Sequence, residues 1–241
     1  MRSGIKIIRL KIVELNVKLN RDVISLAIKQ WFYQWYRGVK EFARYGVHLR
    51  FLLPWLWLKL SYLLDSPYAV SRRYQRQQQA ADLYVYGETP LETLEEIAER
   101  SSVKAADHVF ELGAGSGFTA IWLHGVKKCR VTAVEQVPLF CWRLLRTVKR
   151  MGLSAVSVRC ESYLQTSLSE ATVVYLYGSN LEDAVITELA ERLAELPQGV
   201  RLITISYPLT DFVGQETFVV TDQFSAQFEW GEAEVFIQER I

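Results

Sequence analysis

Hydrophobic positions along the chain follow two rhythms. From Asp107 onward, short apolar runs rich in β-branched residues alternate with segments whose apolar positions recur every three or four residues. DHVFELG, CRVTAVE, SAVSVRC, ATVVYLYG and RLITISYPL read as strands. GFTAIWLHGV, PLFCWRLLRTVKRMG and LEDAVITELAERLAEL read as helices, the last with apolar residues at 181, 185, 186, 189, 193 and 196. Strands apolar on both faces and separated by helices predict a mainly parallel α/β sheet covered on both sides. TFVVTDQFSAQFEWGEAEVFIQER breaks the rhythm and predicts two antiparallel strands turning around Trp230 and Gly231. Residues 1–84 instead carry helical periodicity, as in DVISLAIKQWFYQWYRGVKEFARYG, and predict a helical extension to a domain over residues 85–241. Within the extension RRYQRQQQAAD, residues 72–82, reads as a linker or exposed turn. Thr89, Pro90, Leu91 and Glu92 read as a capping box opening a helix.

Charge sharpens that division. Residues 1–76 hold 15 Lys and Arg against 4 Asp and Glu, while the remainder holds 13 against 23. A basic segment before an acidic domain attracts a membrane or nucleic acid, or packs on its own acidic half. FLLPWLWLKLSYLL, residues 51–64, is the most apolar stretch but contains Pro54 and Lys59. It reads either as peripheral membrane contact within residues 31–64 or as a helix buried against the domain. No run of about 18 apolar residues and no signal-peptide pattern is present. Cys129, Cys141 and Cys160 have no CxxC spacing, so the reading is a reducing, cytoplasmic compartment and no metal site.

The chemistry centres on ELGAGSG, residues 111–117, which joins the first strand of the domain to its first helix. That junction is where a doubly wound sheet holds ligands. A dinucleotide fingerprint starting at Gly113 requires glycine at 118, and this chain has Phe118. What remains is Glu111 ahead of Gly113, Gly115 and Gly117. A carboxylate there repels a pyrophosphate but welcomes an ammonium group, such as the one on S-adenosylmethionine. Glu135, closing the next strand, can accept from both ribose hydroxyls. After the third strand, Glu161 or Ser162 is placed to meet the adenine amino group, and Tyr163 to stack on the ring.

The glycine loop, Glu135 and the terminal hairpin together resemble the class I, seven-strand S-adenosylmethionine-dependent methyltransferases over residues 85–241. The resemblance implies a Rossmann-like sheet with a reversed last strand. VYGET, residues 85–89, one helix ahead of the glycine loop, is similar to the motif closing over the methionine end of the cofactor in the non-SET, seven-strand histone lysine methyltransferases. It is also similar to related seven-strand lysine methyltransferases that modify membrane-associated proteins in mitochondria. That likeness implies that Val85, Tyr86, Glu88 and Thr89 line or cover the cofactor site. The fourth strand departs from the family: YLYGSN stands where paired asparagines line the lysine channel, so lysine specificity does not follow from the motif. Tyr177, Ser179 and Asn180, with Tyr207 and Pro208, are expected near the transferred methyl. Tyr86, Tyr177 and Tyr207 are the channel candidates, with none assigned as an acid or base.

The sequence therefore reads as an S-adenosylmethionine-dependent methyltransferase acting on a protein side chain. A nucleic-acid or small-molecule acceptor stays open, as does a non-catalytic adaptor. The basic extension favours nucleic acid, whereas the absence of an Asn-Pro-Pro-aromatic or Asp-Pro-Pro-aromatic signature after the fourth strand speaks against base methylation.

Overall fold

Five of the strands expected from the apolar runs form the parallel part of one seven-stranded sheet. The computed structural model describes residues 48–80 and 86–241. The helical pattern within 22–46, the first part of the candidate interfacial stretch 31–64, and Val85 lie outside the described residues. From His48 onward the chain forms one unit.

The elements, in chain order, are α1 (Leu49–Ser61), α2 (Pro67–Gln77), α3 (Leu91–Arg100), β1 (His108–Leu112), α4 (Phe118–Trp122), a π-helical turn over Leu123–Lys127, β2 (Arg130–Glu135), α5 (Pro138–Met151), β3 (Val156–Cys160), β4 (Val173–Leu176), α6 (Asp183–Ala194), β5 (Arg201–Ile205), α7 (Thr210–Val213), β6 (Phe218–Phe228) and β7 (Gly231–Arg240). The strand order is β3-β2-β1-β4-β5-β7-β6. β1 to β5 run parallel, and β7 enters antiparallel beside β5 with β6 paired to it. This is the Rossmann-like methyltransferase sheet, with its antiparallel terminal hairpin, that the sequence predicts.

Alternation along β1 decides what faces what. Phe110 and Leu112 point with Val134, Val174, Leu176 and Leu202 into a core closed by Leu189 and Leu193 of α6. Glu111 therefore points to the other face, as does Tyr175, its register partner on β4. On that face α1 packs against α4, the π-helical turn and α5. Its inner residues Phe51, Leu52, Pro54 and Leu58 are buried. Gly125 admits this approach, because a Cβ there would stand 2.7 Å from the Phe51 backbone.

Two local expectations are corrected. Residues 72–77 are not a linker but the latter part of α2. Ser66 caps α2 by accepting from the Ala69 amide at 3.3 Å, Pro67 follows, and Val70 and Ser71 are buried. The polar composition hid a helix whose buried stripe is narrow. The capping box at Thr89 does not form either: Pro90 occupies the N-cap with no side-chain cap, and its carbonyl accepts from Leu94 at 2.8 Å. The Thr89 hydroxyl turns inward to Tyr175, 2.5 Å away.

Candidate active site

The loop after β1 is anchored before it can hold anything. The amides of Gly113 and Ala114 both donate to the Val134 carbonyl at 2.9 Å, which ties the loop to the end of β2. Glu135, the next residue on β2, accepts the Gly115 amide on Oε2 and the Val137 amide on Oε1, each at 2.7 Å. Burial raises the Glu135 carboxyl, and those backbone donors oppose the rise. Gly115 has φ +53°, and a Cβ there would stand 2.8 Å from the Tyr86 ring. Gly117 serves packing instead: at φ +85° it starts α4 with the Leu144 side chain 2.4 Å from where its Cβ would be.

Glu111 is the least satisfied group in the site. It is buried, and its Oε2 has no hydrogen-bond partner. Burial pushes its carboxyl up to about 8, against the Thr119 hydrogen bond and helped by the Glu135 charge. A buried carboxylate oxygen without a donor fits a ligand that brings one, and an ammonium group supplies both hydrogen bond and charge. At Gly113, φ +79° coincides with open space around the would-be Cβ, so a ligand can approach the backbone closely. These features fit the methionine end of S-adenosylmethionine, which Glu111 and the loop would hold.

Tyr86, Gly87, Glu88 and Thr89 close the same cavity. Glu88 Oε1 accepts from the Tyr86 hydroxyl at 2.5 Å and from Ser116 Oγ at 2.7 Å, joining the segment to the glycine loop. The Tyr86 ring lies between Tyr68 and Phe140, with centroids at 5.1 and 5.3 Å. Tyr177, just past β4, accepts the Trp230 indole N–H at 2.8 Å and meets Phe228 edge-on. Gly87 passes beneath Tyr177, whose hydroxyl would be 2.9 Å from a Cβ. Burial pushes the Tyr177 hydroxyl up to about 12, which keeps it neutral near pH 7.

Of the residues singled out from sequence, Tyr86, Glu88, Thr89, Glu111, Gly113, Gly115, Glu135, Tyr163, Tyr177 and Asn180 line one cavity. Gly117, Glu161, Ser162, Ser179 and Tyr207 are not among its lining residues. Glu161 is exposed and takes the Thr166 hydroxyl, while Ser162 Oγ accepts its own turn's Leu164 amide at 3.2 Å. Tyr207 donates to the Gly178 carbonyl at 3.2 Å and packs on Phe212. Sequence reasoning missed Ser71 and Gln75, which α2 presents to the cavity, and Tyr175, which holds Thr89. The Ser66–Pro67 start signal was the available clue to the first two. Among the described residues the lining includes Glu88, Glu111 and Glu135 and four tyrosines, and no Lys or Arg.

A family model described as protein-L-isoaspartate(D-aspartate) O-methyltransferase (PCMT) matches residues 74–194, half of the chain. No curated protein matches. Among solved structures, an RNA methyltransferase from Salinibacter ruber in complex with S-adenosyl-L-homocysteine is 22% identical with a TM-score of 0.54, covering 64% of this chain and 93% of its own. The B. subtilis M1A22 tRNA methyltransferase TrmK is 19% identical with a TM-score of 0.52, covering 61% of this chain and 65% of its own. TrmN from Thermus thermophilus is 15% identical with a TM-score of 0.53, covering 62% and 48%. The chain thus spans less than two thirds of the length of the last two, and at these identities the likeness is one of fold.

Proposed function

Since the chain belongs to the protein-L-isoaspartate(D-aspartate) O-methyltransferase family and is an S-adenosylmethionine-dependent methyltransferase, we propose that its acceptor is an amine on a protein side chain, lysine being the simplest. The observation that carries this reading is the cavity lining, with three carboxylates, four tyrosines and no Lys or Arg among the described residues. Such a wall attracts a cation and favours its desolvation against aromatic faces.

When bound, S-adenosylmethionine supplies an electrophilic methyl group on a sulfonium. The chain's part is to hold the loop through Glu135, to neutralise the ligand's ammonium with Glu111, and to exclude water with Tyr86, Tyr163 and Tyr177. Desolvation of the acceptor amine among these rings opposes the pull of the carboxylates on its charged form and favours loss of its proton to solvent before transfer, which frees the lone pair. In the same reading residues 85–241 carry the chemistry, and the extension 1–84 contributes Ser71 and Gln75 to the wall.

The family's description favours a second acceptor, the carboxylate of an isoaspartyl residue. Against it, a carboxylate entering this cavity would find no Lys or Arg in the lining among the described residues. The matched residues 74–194 also stop short of Phe228 and Trp230. A nucleic-acid acceptor, named for the RNA and tRNA relatives in fold, would bring phosphates to the same carboxylate-rich wall.

Transfer of labelled methyl to three acceptors tests the choice: lysine-containing peptides, an isoaspartyl peptide and total tRNA. Base-stable label recovered as methyl-lysine is expected. Base-labile label in the isoaspartyl peptide, or ribonuclease-sensitive label in tRNA, would replace the amine with that acceptor.

A further inference from the structure

α1 is apolar on two sides, and only one of them is used by the fold. Phe51, Leu52 and Leu58 are buried against the domain. Leu49, Leu53, Leu56 and Leu60 recur at helical spacing on the outer side, and the row continues at Leu63 and Leu64, with exposures between 42% and 102%. α5 adds exposed Trp142 and Leu145 beside them. The two helices share a hollow lined by Trp57, Leu60, Ser61, Trp142, Arg143 and Arg146, so the apolar residues form one patch. A helix apolar all round has non-aqueous surroundings on both sides.

The charges on the two helices have one sign, and the neighbouring Asp65 is paired with Arg73 and Arg143. Neither LRFLLPWLWLKLS nor PLFCWRLLRTVKRM contains an acidic residue. Arg50, Lys59, Arg146, Lys149 and Arg150 are exposed on them. The Arg146 guanidinium lies 5.3 Å from the Trp142 ring centre, Arg150 5.1 Å from Trp57, and Lys59 5.4 Å from Trp55. Indoles with basic groups beside exposed leucines are the composition of a helix lying in a membrane interface. Among the described residues no helix is long and apolar enough to cross a membrane, so contact is along the surface.

We propose that the outer face of α1 and α5 docks on an anionic lipid surface, the leucines entering the headgroup–acyl boundary and the basic residues meeting lipid phosphates. A second copy fits this face poorly, because self-association would oppose five basic side chains with no acidic one on either helix. Nucleic acid would satisfy the charges and leave seven leucines in water. Residues 1–47 carry ten Lys and Arg against three acidic residues, so their net charge adds to the attraction. The proposal stands whichever acceptor is methylated.

Co-sedimentation of the full chain at 0.15 M salt with phosphatidylcholine vesicles, and with vesicles of about 7:3 phosphatidylcholine to phosphatidylserine, tests it. Binding to the anionic vesicles is expected, reduced on the order of tenfold by combined Leu53→Ser, Leu56→Ser and Leu60→Ser, with a comparable loss for combined Arg146→Glu and Lys149→Glu. Unchanged S-adenosylhomocysteine-induced melting shifts confirm that the variants are folded. No binding to either vesicle, or leucine variants that bind like the parent, would overturn the proposal. So would a dimer in sedimentation velocity, or a tRNA gel shift, that the leucine substitutions abolish.

Discussion

Glu135 holds Gly115: the carboxylate at the end of β2 accepts the amide of the central loop glycine at 2.7 Å and takes Val137 on its other oxygen at the same distance. The residue expected to contact ribose thus also sets the shape of the loop beside it. Replacing Glu135 with Ala removes two charge-assisted bonds inside a buried site, each worth about 1.5–3 kcal/mol. Both melting temperature and S-adenosylhomocysteine affinity should fall, the affinity by at least about tenfold. Calorimetric titration checks this, and unchanged affinity would show that the loop does not depend on Glu135.

Glu111 makes the free protein sensitive to pH. Its carboxyl is raised from 4.5 to about 8, so it contributes stability that is fully present below about pH 4.5 and lost as pH rises through about 8. An ammonium ligand selects the ionised form and therefore expels a proton near pH 7. Titration in buffers of different ionisation enthalpy should reveal that release with S-adenosylhomocysteine. In Glu111→Gln the component should vanish and the melting curve should flatten between those pH values.

Two loop glycines should respond differently to alanine. At Gly115 the new Cβ meets Tyr86 at 2.8 Å in a positive-φ conformation. Destabilisation on the order of 2–4 kcal/mol is expected. At Gly113 the Cβ enters open space, so the protein should lose only about 1–2 kcal/mol and show its main defect in ligand affinity. Denaturant unfolding paired with calorimetry separates the two, and equal stability losses would contradict the geometry.

Thr89 and Tyr175 bury a hydroxyl pair at 2.5 Å. Thr89→Val or Tyr175→Phe alone leaves one hydroxyl unsatisfied, at about 1–3 kcal/mol. The double variant should cost less than the sum of the singles. Additive losses in a double-mutant cycle would mean the two groups act independently.

Trp230→Phe keeps an aromatic ring but removes the N–H that Tyr177 accepts. On the proposed acceptor side this should raise the KM for the acceptor several-fold and leave cofactor affinity unchanged. A loss of cofactor affinity instead would mean that Tyr177, the lining residue that Trp230 holds, serves the cofactor and not the acceptor.

The sheet was legible because each strand carries its own apolar run and the glycine loop marks the junction of β1 with α4. Glu111 and Glu135 were legible for the same reason, being strand ends of fixed direction. Ser71, Gln75 and Tyr175 were not, since their place in the cavity depends on how α2 and β4 meet across the fold. Thr89 carried a good local signal for a cap, and a tertiary partner outcompeted it. Glu161 and Ser162 come just after β3, where Glu135 is still the last residue of β2, and their turn consumes their polar atoms through Thr166 and Leu164.

The bond between Trp230 and Tyr177 joins residues 53 positions apart, and Tyr68 reaches Glu229 across 161. During synthesis, the glycine loop and Glu135 emerge long before the turn that carries Glu229 and Trp230. A nascent chain can therefore assemble the parallel half of the sheet while Tyr177, which lines the cavity, still lacks the indole that fixes its hydroxyl; that partner arrives only when the hairpin threads in beside β5.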